Sequence, residues 1–273
     1  MSNNELLTEE EFIQFRPHPL LLAQIESCRN QFQLDKNVFR ILDWGCGRGK
    51  FVLWLREKGY DAFGVEVDAN PFQNGADLFT QKGYEIGKHL FQVDQNGHTP
   101  FENSSFHFVT SYQVLEHVCQ LDPVIAEIQR VTQEGGEGFH MFPPHRRLIE
   151  GHLFMPLVHW LPKNRLRKYL ILLFVCLGIE PHWWRKGKMP LQRKVDVYYN
   201  FSIHHTFYRT HDAIRTSFSR RGFNAEIVDV CDYGRGRRFA YRYLLQKPSS
   251  RLVQVWYRNF GGDLGLATAL HLK

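Results

Sequence analysis

Short apolar runs alternate with longer amphipathic stretches in the first third of the chain. Residues 37–42 and 62–67 are typical of buried strands, because each run is brief and rich in branched and aromatic side chains. Between them, residues 50–58 place apolar side chains at helical spacing and predict a helix packed on a sheet. This alternation is typical of an α/β fold.

A second patterned region lies near the carboxyl end of the chain. Residues 209–221 predict a helix, in which Ile214 and Phe218 stand four positions apart. Residues 222–230 and 239–246 are predicted strands, and the short glycine-containing loop between them indicates a hairpin. The remaining tail is expected to be helical or irregular.

Glycines occupy alternate positions between the first predicted strand and the first predicted helix, at Gly45, Gly47 and Gly49. Glycines so spaced permit unusual backbone angles, and the helix start beyond them offers unpaired amide donors. The dinucleotide fingerprint G-x-G-x-x-G is not met, since Lys50 stands where its third glycine would fall. The turn therefore predicts a pocket for a nucleotide-like cofactor without specifying which one.

Acidic residues flank this glycine turn on both sides. Asp43 precedes the first glycine by two positions, and Glu66 lies near the end of the second predicted strand. A carboxylate at that strand end can accept both hydroxyl protons of a ribose. Asp68 is the alternative ribose ligand, although Asp68, Asn70 and Pro71 together are also typical of a helix start. We favour Glu66.

These motifs, in this order, resemble those of class I S-adenosylmethionine-dependent methyltransferases of the type 11-like group. The resemblance covers residues 38–144 and also rests on Asp94, which it implies to be the adenine contact, and on the segment Gln-Val-Leu-Glu-His-Val at 113–118. It implies S-adenosylmethionine as the cofactor. The implied cofactor-binding residues are Asp43, Gly45, Cys46, Gly47, Gly49, Glu66, Val67, Asp94, Gln95 and Gln113.

The same resemblance implies the remaining architecture. It predicts a Rossmann-like seven-stranded mixed sheet with helices on both faces, an antiparallel terminal strand pair and a helical insertion after strand five. Within the core, strands are expected near 91–94 and 106–112, a helix start in 113–118, and a turn at 134–138 leading into strand five. The expected segments are an N-terminal helical segment (1–36), the cofactor-binding core (37–144), a basic aromatic cap insertion (145–205), the closing helix and strand pair (206–248) and a C-terminal tail (249–273).

Composition and cysteine usage restrict the class of protein. The chain has 273 residues, of which 43% are hydrophobic, so it can bury a substantial core. Its five cysteines form no C-x-x-C pair, which argues against a disulfide framework and a thiolate zinc site. The acidic, polar N-terminus does not resemble a secretory signal. We expect a cytoplasmic protein, with peripheral contact at the inner membrane face left open.

Positive charge is concentrated in one stretch of the chain. The formal net charge is +6, but residues 145–194 hold eleven lysines and arginines against two acids. There, Asn164 and Gly178 are typical bounds of a helix over 165–177. Its apolar run is far shorter than the roughly 20 residues that span a bilayer. The helix is expected either in the interior or in a membrane interface beside Trp183 and Trp184.

Basic and aromatic residues mixed in this way have three interpretations. They can form a solvated surface, attract a small anionic acceptor that is linked to a lipid or a sugar, or bind RNA. RNA ranks last, because no separate RNA-binding module is recognisable. A non-catalytic cofactor-binding or membrane-docking protein of the same fold stays an alternative, and an NAD-dependent oxidoreductase is disfavoured by the missing third glycine. The sequence does not indicate an oligomeric state.

Methyl transfer to an oxygen or nitrogen that loses a proton benefits from a base with a pKa near neutrality, which favours histidine. The candidates are His117 beside Glu116, His152, and the pair at 204–205. We predict His152 as the base, Glu150 as the residue that orients it, and His117 as the second choice. No metal is assigned, because a site of Glu150, His152 and His159 lacks the H-E-x-x-H spacing.

Overall fold

A mixed sheet of seven strands organises the residues described by this computed structural model, which are 6–94, 97–143, 145–181, 189–229 and 264–270. The strands are β1 (Arg40–Trp44), β2 (Asp61–Glu66), β3 (Leu90–Gln92), β4 (Phe106–Tyr112), β5 (Thr132–Phe142), β6 (Phe223–Asp229) and β7 (Leu264–Leu270). Their order is β3-β2-β1-β4-β5-β7-β6; β1 to β5 are parallel, and β7 is antiparallel to both of its neighbours. The predicted Rossmann-like sheet with an antiparallel terminal pair is confirmed.

Helices cover both faces of this sheet. They are α1 (Glu9–Gln14), α2 (Pro19–Phe32), α3 (Lys50–Glu57), α4 (Ala69–Gln81), α5 (Leu121–Val131), α6 (Arg165–Cys176), α7 (Leu191–His204) and α8 (His211–Ser219), with a 3-10 turn at Val158–Trp160. Successive strand residues point to opposite faces. Ile41 therefore packs in an apolar cluster with α2, α3 and α4, whereas Leu42 packs in another with α5 and α8.

The segment between β5 and α8 builds a third apolar cluster of its own. In this segment α6 packs against α7, and Ile171 and Tyr198 share the cluster with Leu153. Asn164 caps α6, since its side chain accepts a hydrogen bond from the Leu166 amide at 3.0 Å. The helix start predicted at this position is confirmed. Within the described part of the chain, no helix is long and apolar enough to cross a membrane.

The helix after β4 begins later than predicted. Residues 113–118 form turns, and α5 begins only at Leu121. Gln113 has a positive φ of 54°, which interrupts any helix there, and Pro123 fits the first turn of a helix but not its interior. His117 therefore lies in a turn at the sheet edge and not at a helix start.

The glycine-rich stretch 134–138 does not form the predicted turn, because it lies inside β5. A register shift between Phe106 and Phe108 of the neighbouring strand β4 accommodates the additional residues, and Gly135 takes a φ of 74°. Such irregularities insert residues into a strand without ending it.

The prediction of a helical or irregular tail from 249 is wrong for 264–270, which form β7. This strand lies between β5 and β6 and pairs with both, so tertiary pairing specifies it although its run of Gly, Ala and Leu carries little strand propensity. The strand predicted at 239–246 lies outside the described residues. The closing antiparallel pair of the sheet is therefore β6 with β7.

Candidate active site

The predicted cofactor residues follow the carboxyl ends of neighbouring parallel strands. β1 pairs in parallel with β2 on one side and with β4 on the other, so the order in which the strands are added to the sheet reverses at β1. In open α/β sheets ligands bind in the crevice at such a switch point. The glycine turn after β1 lies at this position.

The three glycines of the turn all have positive φ values, 73° at Gly45, 56° at Gly47 and 69° at Gly49. Gly49 precedes the first residue of α3, whose unpaired amides face the turn. A Cβ at Gly45 would come within 2.4 Å of Val114, whereas a Cβ at Gly47 would have no neighbour within 4 Å. The turn is thus packed on one side and open on the other, as a main-chain cradle for a ligand requires.

Glu66 directs its carboxylate toward this turn. It accepts hydrogen bonds from the amide of Gly47 at 2.7 Å and from the amides of Val67 and Asp68 at 2.8 and 3.0 Å. Asp68 instead caps α4, since its side chain accepts from the Asn70 amide at 3.0 Å. This geometry favours Glu66 over Asp68 as the ribose ligand.

Asp43 lies buried beneath the same turn. Burial, and then the nearby charge of Glu66, raise the pKa of Asp43 to about 7. Burial likewise raises the pKa of the Cys46 thiol, with Asp43 and Glu66 adding to it. Cys46 is therefore a neutral thiol that packs against Gly64 of β2 and not a nucleophile.

The other predicted cofactor residues lie around this edge of the sheet. Asp94 comes two residues after Gln92, which is the register partner of Glu66. Val67 is about half exposed, and Gln113 follows β4 directly and donates its amide to Met141. Gln95 lies outside the described residues. Carboxylates, glycine amides and an open space at one sheet edge fit a cofactor with a ribose and a charged amino-acid end.

The residues predicted to be catalytic form a hydrogen-bonded cluster built on Glu150. Its Oε1 atom accepts from His152 Nδ1 at 2.9 Å and from the Tyr208 hydroxyl at 2.5 Å. Its Oε2 atom accepts from the amides of His152 and Leu153. Burial opposes ionisation of Glu150, but the hydrogen bonds and charge from His152 outweigh it and lower the pKa to about 2. The carboxylate therefore stays ionised and fixes the proton of His152 on Nδ1.

His117 joins this cluster from the turn after β4. Its ring centroid lies 4.8 Å from that of His152, and its Nδ1 is 2.5 Å from the backbone carbonyl of His205. Burial, and then the proximity of His152, lower the pKa of His117 to about 4. His117 is therefore neutral at pH 7, with Nδ1 protonated and Nε2 as the acceptor. Of the candidate pair at 204–205, His205 contributes to the cluster only this backbone carbonyl, which accepts the hydrogen bond from His117.

Three residues of this cluster could hold a divalent cation. One ligand atom each of Glu116, His117 and His152 lie within 4.8 Å of one another. Two imidazoles with one carboxylate are a common ligand set for zinc and iron. His159 stands apart from this group, because its Nε2 donates to the carbonyl of His145 at 2.9 Å. Among the described residues, the candidate metal ligands are therefore Glu116, His117 and His152, and not Glu150, His152 and His159.

A cavity of about 280 Å³ adjoins the cluster. Tyr208 belongs both to its lining and to the Glu150 cluster, and His159 packs on Tyr208 with ring centroids 4.9 Å apart. The lining residues are His159, Lys163, Arg167, Thr206, Phe207, Tyr208 and Arg209. Three of these seven are cations and none is an acid.

The three cations of the cavity donate to backbone carbonyls and, among the described residues, make no ion pair with a carboxylate. Lys163 donates to Ile203 and Thr206, and its Nζ lies 3.8 Å from the ring centroid of Phe207. Burial, and then the charge of Arg167, lower the pKa of Lys163. Burial also lowers the pKa values of Arg167 and Arg209. Positive charge in the cavity is thus only partly compensated, which favours an anionic ligand.

Sequence reasoning did not identify several of these residues. Tyr208 lies 56 positions from His152, and Arg209 lies 90 or more from the carbonyls of Val118 and Cys119 to which it donates. No local spacing joins such positions. The concentration of basic residues in the insertion was the one signal that pointed toward Lys163 and Arg167.

Comparison with known proteins adds independent findings. A family model described as a methyltransferase domain matches residues 42–139. A ubiquinone biosynthesis O-methyltransferase of Nitrosococcus oceani is 27% identical over 193 residues, which are 68% of this chain and 78% of that protein. A sterol 4-C-methyltransferase of Caenorhabditis elegans is 32% identical over 107 residues, which are 39% of this chain. The chain spans 31% of the length of that second relative.

Solved structures share the fold. A geranyl diphosphate methyltransferase in complex with GPP and sinefungin superposes with a TM-score of 0.52 at 14% identity, covering 91% of this chain and 77% of the other. An S-adenosylmethionine-dependent methyltransferase of Mesorhizobium loti gives 0.53 at 15% identity, covering 91% and 99%. At these identities the similarity establishes the architecture and not the substrate.

Proposed function

The chain belongs to the class I S-adenosylmethionine-dependent methyltransferases, and from this premise we propose that it methylates an oxygen or nitrogen atom of a small anionic acceptor linked to a lipid or a sugar. The observation that carries the proposal is the partly uncompensated positive cavity beside the cluster of His152, Glu150 and Tyr208. An anionic group held there would lie next to a histidine that can accept a proton.

Two further observations support this acceptor class. The relative with the longest alignment is a ubiquinone biosynthesis O-methyltransferase. In this chain Arg167 is buried and the cavity has no acidic lining residue, so its field favours a ligand that carries negative charge. An oxygen acceptor is favoured over carbon, because the site holds a histidine that could remove a hydroxyl proton.

The cofactor half of the proposal assigns the ribose to Glu66 and the adenine to Asp94. The amides of the glycine turn would receive the charged end of the cofactor, with Asp43 beneath them and Cys46, Val67 and Gln113 at its borders; Gln95 is assigned to the cofactor by its place in the sequence alone. When bound, S-adenosylmethionine supplies an electrophilic methyl group on a sulfonium. Gly47 serves close approach, since no atom lies within 4 Å of where its Cβ would be.

The chemistry assigned to the chain is the removal of one proton and the alignment of the acceptor. His152 takes the acceptor proton on Nε2, because Glu150 holds its Nδ1 proton. The deprotonated oxygen or nitrogen would then be aligned to accept the methyl group that S-adenosylmethionine supplies, with S-adenosylhomocysteine as the other product. Tyr208 and His117 position His152 through a hydrogen bond to Glu150 and a ring contact, respectively.

A labelled-methyl transfer assay tests this proposal, with small-molecule and lipid fractions of an extract from the source cell as acceptors. His152→Ala is expected to lower kcat by about 100-fold or more, the usual contribution of a general base, with partial recovery on addition of imidazole. Lys163→Gln is expected to raise KM with little change in kcat, since it removes ground-state charge only. Calorimetric titration with S-adenosylhomocysteine should give wild-type affinity for both variants.

Three outcomes would contradict the proposal. Full turnover by His152→Ala would show that His152 is not the base. Labelling of RNA alone would show that the acceptor is not a small anionic molecule. Loss of transfer after treatment with a chelator, restored by a divalent metal, would show that Glu116, His117 and His152 hold a metal. His152 would then be a ligand and not the base.

A further inference from the structure

Helix α6 carries an apolar stripe on its outer surface. Leu166, Tyr169, Leu173 and Leu177 are 55%, 64%, 52% and 62% exposed. They stand three, four and four positions apart, so they follow one side of the helix over about 17 Å. Isolated exposed leucines are ordinary, but four large side chains in one row indicate a surface that something covers.

The opposite side of α6 holds the helix in place. Arg167, Ile171 and Val175 are buried, and the last two pack in the cluster that includes Val195 and Tyr198 of α7. The exposed stripe is therefore a separate face, and turning it inward would expose a packed core. A helix that is apolar on all sides is usually covered on all sides, by protein or by lipid.

The charged residues near the stripe indicate what kind of surface covers it. Arg165 is exposed at the amino end of α6, directly before Leu166 of the stripe. Lys168 is paired with Asp196 at 2.6 Å, the acid on α7. The stripe contains no acid, and residues 145–194 of the insertion that carries it hold eleven lysines and arginines against two acids. Apolar side chains that begin beside an exposed arginine, within a strongly basic insertion, match an anionic bilayer surface.

We propose that the stripe of Leu166, Tyr169, Leu173 and Leu177 docks α6 in the plane of an anionic phospholipid bilayer. The apolar side chains would enter the boundary between headgroups and acyl chains, while Arg165 keeps its charge among the headgroups. Because α6 also supplies Arg167 to the positive cavity, docking brings this cavity close to the lipid surface. The docking itself does not depend on the proposed methyl acceptor.

Sedimentation with vesicles tests the docking surface. The full-length protein is expected to sediment with vesicles of phosphatidylglycerol and phosphatidylcholine at low salt, less at high salt, and weakly with phosphatidylcholine alone. Leu173→Glu should lower the partition coefficient by about tenfold or more, the value of withdrawing one leucine from an apolar phase. Ile13→Glu is the matched control, because Ile13 is 61% exposed on α1, and it should bind like the wild type.

Three results would overturn the proposal. The first is failure of the wild-type protein to bind the anionic vesicles, and the second is equal loss of binding in Ile13→Glu. The third is a wild-type dimer in sedimentation velocity that Leu173→Glu dissociates, which would assign the stripe to a second copy of the chain. Methyl transfer to a water-soluble acceptor fraction should be the same in Leu173→Glu and wild type, so failure of docking and failure of the proposed function are distinguishable.

Discussion

At the scale of single residues, glycines of the same turn serve different purposes. Gly45 and Gly47 both have positive φ, but only Gly45 is packed against a side chain, that of Val114. The space in front of Gly47 is open. We therefore expect stability and ligand binding to depend on different glycines two positions apart.

The pair Gly45→Ala and Gly47→Ala tests this separation. Both variants bear the roughly 1–2 kcal/mol cost of a left-handed alanine. Gly45→Ala should be the less stable of the two by at least about 1 kcal/mol, since its Cβ meets Val114 at 2.4 Å. Gly47→Ala should stay folded and bind S-adenosylhomocysteine more weakly. Thermal unfolding and calorimetric titration measure the two effects, and equal loss of stability would contradict the prediction.

At the scale of secondary structure, the strand that completes the sheet comes from the end of the chain. β7 contributes buried Leu266 and Leu270 to the cluster beneath α5 and α8, and hydrogen-bonds to β5 and β6. Without it, β5 would become an edge strand and β6 would lose its neighbour in the sheet. The expected C-terminal appendage is thus part of the core.

A chain that ends at residue 248 should therefore fail to fold cooperatively. Loss of β7 removes a ladder on each of its sides and leaves buried apolar surface without a partner. Removal of residues 271–273 alone is the control and should leave the unfolding transition unchanged. Circular dichroism during heating distinguishes the two, and a sharp, wild-type transition in the shorter chain would show that β7 is dispensable.

At the scale of the whole molecule, neutral imidazoles are buried both in the sheet and in the insertion. Burial lowers the pKa of His140 to about 3, and it is the main cause of pKa values of about 4 at His117 and His159. The unfolded chain protonates these groups below pH 6.5, whereas the folded chain resists protonation. Folding stability should therefore fall as pH decreases from about 6.5 toward 4. The raised pKa of Asp43 acts in the opposite direction.

His140→Gln isolates one of these contributions. Each such histidine adds about 1.4 kcal/mol per pH unit to the slope between its unfolded and folded pKa values. The variant should lose stability at pH 7, because the ring packs against Phe218 and is hydrogen-bonded to the Ser111 hydroxyl, but its stability should depend less on pH. His204→Gln, at an exposed position, should keep the wild-type slope. Urea unfolding at several pH values measures both, and parallel curves for His140→Gln would refute the assignment.

The sequence by itself determined the half of the molecule that depends on local signals. Glycine spacing, the acids at strand ends and the apolar periodicities lie within short windows, and parallel strands necessarily bring their carboxyl ends to one edge. Hence an α/β core with a nucleotide-like pocket was predictable from these signals, while the seven-stranded sheet and S-adenosylmethionine followed from the family resemblance that the ordered motifs carry. The helix start at Asn164 was also predictable, since a cap acts over three residues.

Only the tertiary structure decided the features that join distant positions. Tyr208 reaches Glu150 across 58 residues, β7 pairs within a sheet begun more than 200 residues earlier, and three cations line one cavity. Periodicity describes a helix such as α6 as apolar all round but does not say which side is covered. Packing against α7 makes that choice, because burying Ile171 and Val175 leaves the stripe of Leu166, Tyr169, Leu173 and Leu177 facing outward.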